Sequence, residues 1–202
     1  MMNLTTFAPD DFKEHLRALD NKGKFHRARI YCELGATTNH QHYVITGNDG
    51  VGKEDAVIDI FNRVASVAEL ERCVTVDATT MFDANDGFRG SFAEIQENNI
   101  LLHIKNAEQL ATRGNVNPKT GIEELCSMMS EKSNILVVLT GKRSQLLELV
   151  KGNEQARTCF SNIFHFDDLK PEALLQYMME YMNCRNYLFD PDAETAFKEY
   201  LE

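Results

Sequence analysis

Short apolar runs alternate with amphipathic segments along most of the chain, and this alternation predicts its secondary structure. Runs rich in Val, Ile, Leu and Phe that end in polar residues are typical of buried strands. Segments with apolar residues three or four positions apart are typical of helices. Because such helical segments separate the apolar runs, the pattern predicts an α/β fold with a parallel sheet covered on both faces. The five strands are predicted at 42–46, 73–77, 100–104, 135–140 and 163–166.

The predicted helices begin before the first strand. Pro9 opens a first helix, in which Phe12 starts the apolar stripe, and a second helix over 24–34 is predicted to end at Gly35. Irregular chain is predicted over 79–90 because this segment is rich in Gly and Asp. The later helices are predicted at 53–67, 91–96, 121–130, 144–150, 170–181 and 186–202.

A glycine-rich turn connects the first strand to the helix that follows it. Its sequence matches the pattern G-x-x-x-x-G-K of a phosphate-binding loop, in which backbone N–H groups surround the phosphates and the lysine reaches their β and γ oxygens. The last position of that pattern is a Ser or Thr whose hydroxyl binds Mg²⁺, and here it is Glu54. The candidate nucleotide-binding residues are Gly47, Asn48, Asp49, Gly50, Val51, Gly52, Lys53 and Glu54.

Composition and charge narrow the function classes. The 202 residues carry a formal net charge of −10, and the 21 Lys and Arg are scattered, which argues against a nucleic-acid surface. No apolar run approaches the roughly 18 residues that a membrane span needs. The five cysteines have no CxxC spacing and follow no signal peptide, so we expect reduced thiols and a cytoplasmic protein. His40 and His42 lack further ligands at a suitable spacing, and no metal site is predicted.

From about residue 10 onward, the chain resembles one branch of the AAA+ ATPases, that of the red-type rubisco activase and stage V sporulation protein K. The segments that carry this resemblance are 12–17, 24–29, 42–53 and 137–166. The resemblance implies a P-loop AAA+ core with a five-stranded parallel sheet over residues 1–169. It also implies that residues 170–202 are the beginning of a helical lid.

The same resemblance implies that several catalytic groups have been replaced. In the family, an Asp-Glu pair after strand three holds Mg²⁺ and polarises the attacking water, and this position reads Lys105-Asn106 here. An arginine pair before the last strand reaches a neighbouring subunit, and it is reduced to Arg157, a candidate arginine finger, with Cys159 in the second place. Thr140, at the end of strand four, is the candidate sensor.

Three positions leave alternatives open. Phe88 lies in the pore segment expected after strand two, and it is either a pore residue or a loop aromatic packed onto the sheet. Glu54 and Lys105 either form an ion pair where Mg²⁺ would sit or both turn to solvent. Lys53 either reaches a bound phosphate, or only caps the loop or a nearby carboxylate such as Asp49.

We therefore expect a degenerate AAA+ module that binds ATP or ADP weakly or not at all, does not hydrolyse it, and does not use Mg²⁺. Its partners would be AAA+ modules of the same or another chain and protein clients, with no role for nucleic acid or a membrane. It would serve as an assembly, scaffold or regulatory element. One alternative is an active ATP-hydrolysing remodelling protein in which Glu54 and another carboxylate, such as Glu108, replace the missing groups. A second alternative is an interaction domain that binds no nucleotide.

Overall fold

The structure, a computed structural model, describes residues 7–32, 42–65, 67–95, 99–116, 119–132, 134–188 and 190–201. Its strands are β1 (Tyr43–Gly47), β2 (Arg72–Asp77), β3 (Ile100–Lys105), β4 (Ile135–Gly141) and β5 (Asn162–Phe166). Its α-helices are α1 (Asp10–Tyr31), α2 (Lys53–Val64), α3 (Ala78–Met81), α4 (Arg89–Glu94), α5 (Gly121–Glu131), α6 (Arg143–Gly152), α7 (Glu154–Cys159), α8 (Pro171–Asn183) and α9 (Pro191–Leu201). A 3-10 helix, Ala107–Ala111, follows β3.

The five strands form a parallel sheet in the order β2-β3-β4-β1-β5. Tyr43 of β1 lies opposite Val138 of β4 on one side and Asn162 of β5 on the other. All five strands lie within about one residue of their predicted bounds, which is the ordinary uncertainty of a strand end. The predicted α/β fold with a five-stranded parallel sheet is confirmed.

The helices bury both faces of this sheet. On one face, Phe12 of α1 is fully buried, and its ring packs edge-on against those of Phe164 and Phe166 with centroids 5.1 and 5.2 Å apart. On the other face, α5 places Ile122 and Leu125 in a second core cluster, which also contains side chains of α4, α6 and α7. Because the strands are parallel and covered on both faces, their carboxyl ends meet at one edge, where ligands of such sheets usually bind.

The first helix corrects one expectation. α1 runs without interruption for 22 residues, so the predicted division into two helices is wrong. Gly23 lies on the buried face of α1, where an added Cβ would be 3.5 Å from Cγ2 of Val67. This is an ordinary van der Waals distance, so Gly23 packs within the helix and does not end it. The predicted stop at Gly35 falls outside the described residues.

Short helices were the elements that apolar periodicity did not reveal. Most of α3 lies inside the segment 79–90 that was predicted to be irregular, and α7 is absent from the predicted pattern. Asn153 caps α7 by accepting a hydrogen bond of 2.9 Å from the backbone N–H of Ala156. An N-cap Asn is a recognised start signal, so this residue could have revealed α7.

The region predicted to begin a lid follows β5 after a short connection. α8 begins with Pro171 at its first turn and contacts α9, and Leu175 is its buried residue. The predicted boundary at 169/170 falls between β5 and α8, but the division into core and lid stays a prediction. In the part of the chain that the structure describes, the search for a helix long and apolar enough to cross a membrane finds none.

We predict that Phe12→Ala lowers the free energy of unfolding by about 3–5 kcal/mol, because it leaves a cavity between α1 and β5. Urea denaturation at neutral pH measures this change. Tyr31→Ala is the matched control on the same helix, since Tyr31 is 90% exposed, and its effect should stay within about 0.5 kcal/mol. Equal effects of the two substitutions would contradict the proposed packing of α1.

Candidate functional site

The glycine-rich loop after β1 has a shape that its sequence requires. Gly52, the residue before α2, has a φ of 92°, a left-handed conformation that favours glycine. At Gly47 the limit is space, because an added Cβ would lie 2.6 Å from the carbonyl oxygen of Phe166. The loop therefore brings backbone close to the carboxyl edge of the sheet and directs the N-terminus of α2 toward it.

Lys53 lies inside this loop. Its side chain is almost fully buried, and its ammonium donates hydrogen bonds to the carbonyl oxygens of Gly47, at 2.9 Å, and Asn48. The exposed carboxylate of Asp49 is 3.7 Å away. The lysine thus caps the loop, as one of the two interpretations expected. An ammonium has three N–H donors and the carbonyls use two, so one further donor remains beside Asp49.

Glu54 and Lys105 form the predicted ion pair. Nζ of Lys105 is 3.0 Å from Oε1 of Glu54, and the two side chains are 37% and 49% exposed. Burial opposes ionisation of Glu54, but the hydrogen bond from Lys105, a bond from its own backbone N–H and the charges of Lys105 and Lys53 outweigh it, so the pKa of Glu54 is lowered. The carboxylate is therefore ionised at neutral pH.

The residues around this pair do not fit Mg²⁺. Magnesium needs six oxygen ligands in nearly octahedral geometry. The carboxylate at the hydroxyl position of the loop is bound to the ammonium of Lys105, so the last residue of β3 supplies a cation where a metal ligand would be needed. Within the described ranges, a search for three or more His, Cys, Asp or Glu that could hold a metal ion finds no group.

Asn106 is held by a residue that sequence reasoning missed. It has a left-handed backbone with φ of 50°, and its Nδ2 donates to both carboxylate oxygens of Asp77 at 3.0 and 2.9 Å. Hydrogen bonds from Asn106 and Thr79 hold the pKa of Asp77 below its ordinary value. Asp77 ends β2, so its position at the carboxyl edge of a parallel sheet was the signal that could have found it.

Thr140, the candidate sensor, belongs to a buried polar chain across three strands. Its hydroxyl donates to the carbonyl oxygen of Ile104 at 3.5 Å and lies 2.9 Å from Nε2 of His103. On the other side, Nδ1 of His103 is 3.3 Å from the hydroxyl of Thr75. This order assigns the neutral Nε2–H tautomer to His103, with Nδ1 accepting from Thr75. Sequence reasoning missed His103, although a histidine inside an apolar run was visible.

Burial of His103 has an electrostatic consequence. The side chain is 2% exposed, and burial lowers the pKa of His103 to about 4. The charge of Glu54 opposes this shift and that of Lys105 adds to it. The polar layer beneath the Glu54–Lys105 pair is therefore uncharged at neutral pH.

Phe88 is packed and does not reach solvent. It is fully buried, and its ring lies 5.5 Å from that of Phe82 and 6.1 Å from that of Phe92. Gly121 is required beneath it, since an added Cβ there would be 2.4 Å from the ring. A pore aromatic has to be exposed to touch a client. The pore interpretation of Phe88 is therefore wrong, and the packed-loop interpretation is confirmed.

The remaining sequence candidates lie on other elements. Arg157 is exposed on α7, a helix that contacts α5 and α6. Cys159, at the place of the second arginine, is half-buried against the core. Glu108 lies on the 3-10 helix, and its carboxylate accepts a hydrogen bond of 3.3 Å from the backbone N–H of Lys142. The structure thus brings together the loop, Glu54 and Lys105, whereas Glu108 is engaged with the start of α6.

The loop is also connected to the chain that leads into α8. The amide of Asn48 donates to both oxygens of the Asp168 carboxylate at 2.9 Å. The hydroxyl of Thr46 donates to the carbonyl oxygen of Phe164 at 3.2 Å and lies 3.0 Å from Nδ1 of His165. Sequence reasoning missed these contacts because their partners are about 120 positions apart, a separation that no local pattern reveals.

Comparison with known proteins supports an AAA+ module. No family model matches the sequence. Among curated proteins, the chain is similar to Protein CbbX of Cereibacter sphaeroides, with 24% identity over 184 residues. This match covers 87% of the chain and 59% of that relative, so the chain spans less than two thirds of its length.

Solved structures show the same fold. The RuvB Holliday junction branch migration motor of Thermotoga maritima is similar with a TM-score of 0.62 and 17% identity, covering 91% of this chain and 54% of that one. A chain of the HORMA:CdnC:Trip13 complex of E. coli MS115-1 is similar with a TM-score of 0.58 and 15% identity, covering 95% and 70%. The chain therefore has the P-loop fold of an AAA+ module.

We predict a small coupling between Glu54 and Lys105. A double-mutant cycle compares Glu54→Gln, Lys105→Met and the double variant with the unchanged protein. The coupling free energy should be about 0.5–1 kcal/mol, because solvent screens a pair this exposed. Urea denaturation of the four proteins measures it. A coupling of zero at low ionic strength would contradict the ion pair.

We predict that His103 makes stability depend on pH. Its pKa is about 4 in the folded protein and about 6.5 in the unfolded chain. The unfolded chain therefore binds the extra proton first, and stability is lost as the pH falls from 6.5 toward 4, by about 3 kcal/mol in total. Urea denaturation at several pH values should show a shallower loss for His103→Gln than for the unchanged protein. Parallel pH profiles would contradict this prediction.

Proposed function

We propose that this chain is an AAA+ module that keeps a phosphate-binding loop but does not hydrolyse ATP, and that it acts as an assembly, scaffold or regulatory element. The observation that carries the proposal is the distance of 3.0 Å between Lys105 and Glu54. At this position, a working site of the same fold would hold a metal ion. An ammonium bound to a carboxylate neutralises the local charge and leaves no ligands for Mg²⁺.

The lack of hydrolysis follows from two missing groups. Phosphoryl transfer in P-loop proteins depends on Mg²⁺ to neutralise developing charge and on a polar group that orients the attacking water. Lys105 and Asn106 stand where the resemblance places the corresponding carboxylates, and Asn106 is bound to Asp77. Loss of electrostatic stabilisation of this kind costs several orders of magnitude in rate.

Weak nucleotide binding remains compatible with the loop. The backbone of residues 48–52, the N-terminus of α2 and the ammonium of Lys53 would hold the phosphates of ATP or ADP. Asp49 and Glu54 oppose them, because each carboxylate repels an approaching phosphate. Any binding would therefore be weak and independent of Mg²⁺.

Protein partners fit this proposal better than nucleic acid. The Trip13 structure is a complex with HORMA and CdnC proteins, and RuvB is described as a Holliday junction motor. The present chain has a net charge of −10, which repels a phosphate backbone. We therefore propose AAA+ modules of the same or another chain, and protein clients, as partners in the cytoplasm.

Calorimetric titration of ATP and ADP, with Mg²⁺ and with a chelator, tests the proposal together with a phosphate-release assay. We expect weak binding that the chelator leaves unchanged, weakening in Lys53→Ala, and no phosphate release above that of Lys53→Ala. Release of phosphate that depends on Mg²⁺ and disappears in Lys53→Ala would identify an active ATPase instead. Complete absence of binding would favour the interaction domain without nucleotide.

A further inference from the structure

We propose that the Glu54 carboxylate is a tethered anion that occupies the positive end of the phosphate loop and excludes phosphate groups from it. Glu54 would then be the residue that prevents the loop from binding phosphate groups. Its removal would create a site that binds a diphosphate group without a metal ion. This inference rests on the proposed function, because it concerns the same loop. It goes further because it names Glu54 as the residue that blocks the loop and a diphosphate group as the ligand that would bind when the Glu54 carboxylate is removed.

The position of Glu54 in α2 supports this assignment. It is the second residue of a helix of 12 residues, directly after Lys53. The N-terminus of a helix carries about half a positive charge and exposed N–H donors, and it attracts anions. The backbone N–H of Glu54 is among the groups that lower the pKa of its own carboxyl, after the hydrogen bond from Lys105. The carboxylate therefore lies close to the helix end that a phosphate would use.

Two cations hold the carboxylate in that place. Lys105 binds it directly at 3.0 Å from β3, and Lys53 contributes its charge from inside the loop. These are the kinds of group that bind phosphate in other loops, a helix end and ammonium ions. Because the carboxylate already binds Lys105 and lies within the field of Lys53, a phosphate has to displace Glu54 or bind beside it at a cost in like-charge repulsion.

The same contacts predict what removal of the carboxylate does. Lys105 is held at the edge of the sheet by its strand, and without Glu54 its ammonium has a donor available for an incoming oxygen. It would supply the positive charge that Mg²⁺ supplies in a hydrolysing site. The opened loop should therefore bind phosphates without metal. It should still fail to hydrolyse them, because Asn106 remains bound to Asp77.

The test is titration of the whole chain with inorganic pyrophosphate and with ADP in the presence of a chelator. Glu54→Gln removes the charge and keeps the shape, and Glu54→Ala removes the side chain. We expect both to bind about tenfold or more tightly than the unchanged protein, which corresponds to about 1.4 kcal/mol. If the unchanged protein shows no binding, measurable binding by the variants is the corresponding result.

Two controls identify the cause of such a gain. Glu94→Gln makes the same change in net charge at an exposed position of α4 and should leave binding unchanged. Adding Lys105→Met to Glu54→Gln should abolish the gain, because the freed ammonium is then missing. Urea denaturation of each variant establishes that it is folded before binding is compared.

Other outcomes would overturn the inference. Folded Glu54→Gln and Glu54→Ala variants that bind no better than the unchanged protein would show that the carboxylate does not compete with phosphate. An equal gain in Glu94→Gln would assign the effect to net charge alone. The proposed function fails separately, through phosphate release by the unchanged protein with Mg²⁺, so the two failures are distinguishable.

Discussion

A parallel sheet brings the carboxyl ends of its strands to one edge, and every polar group buried there has to find a hydrogen-bond partner. In this chain, that constraint places the loop after β1 beside residues that end β2, β3 and β4. Glu54 is bound by Lys105, Asn106 by Asp77, and Thr140 by His103. The polar side chains at this edge are therefore hydrogen-bonded or ion-paired to one another, whereas in a catalytic site they would bind a metal ion and water.

These contacts contribute unequally to stability. The Glu54–Lys105 pair is partly exposed, so solvent screens it and its net contribution is small. His103, by contrast, is buried and uncharged, and its hydrogen bonds compensate for the solvation that it loses on folding. The charged pair therefore affects which ligands this edge of the sheet can bind. The hydrogen-bonded side chains of Thr75, His103 and Thr140, which are uncharged, stabilise the packing of their three strands.

The parts of the fold that were predictable have strong local signals. Apolar runs located the strands, and the glycines of the loop located the turn, because a left-handed residue at Gly52 and a close approach at Gly47 leave few other amino acids. The ion pair was predictable because two replacements of opposite charge fell on positions that converge in the fold. The division of α1 into two helices was wrong, since sequence alone does not show that the helix continues through Gly23. Asp77 and His103 were missed because their partners are distant in the sequence: Asn106 follows β3, and Thr75 and Thr140 belong to the strands on either side of His103.

The contacts of Asn48 extend this reasoning beyond the edge. Its carbonyl oxygen accepts a hydrogen bond from Lys53, while its amide donates to Asp168 in the connection to α8. Asn48 therefore connects the lysine of the loop to the segment between β5 and α8. A movement of Asn48 has either to break its two bonds to Asp168 or to carry that residue with it.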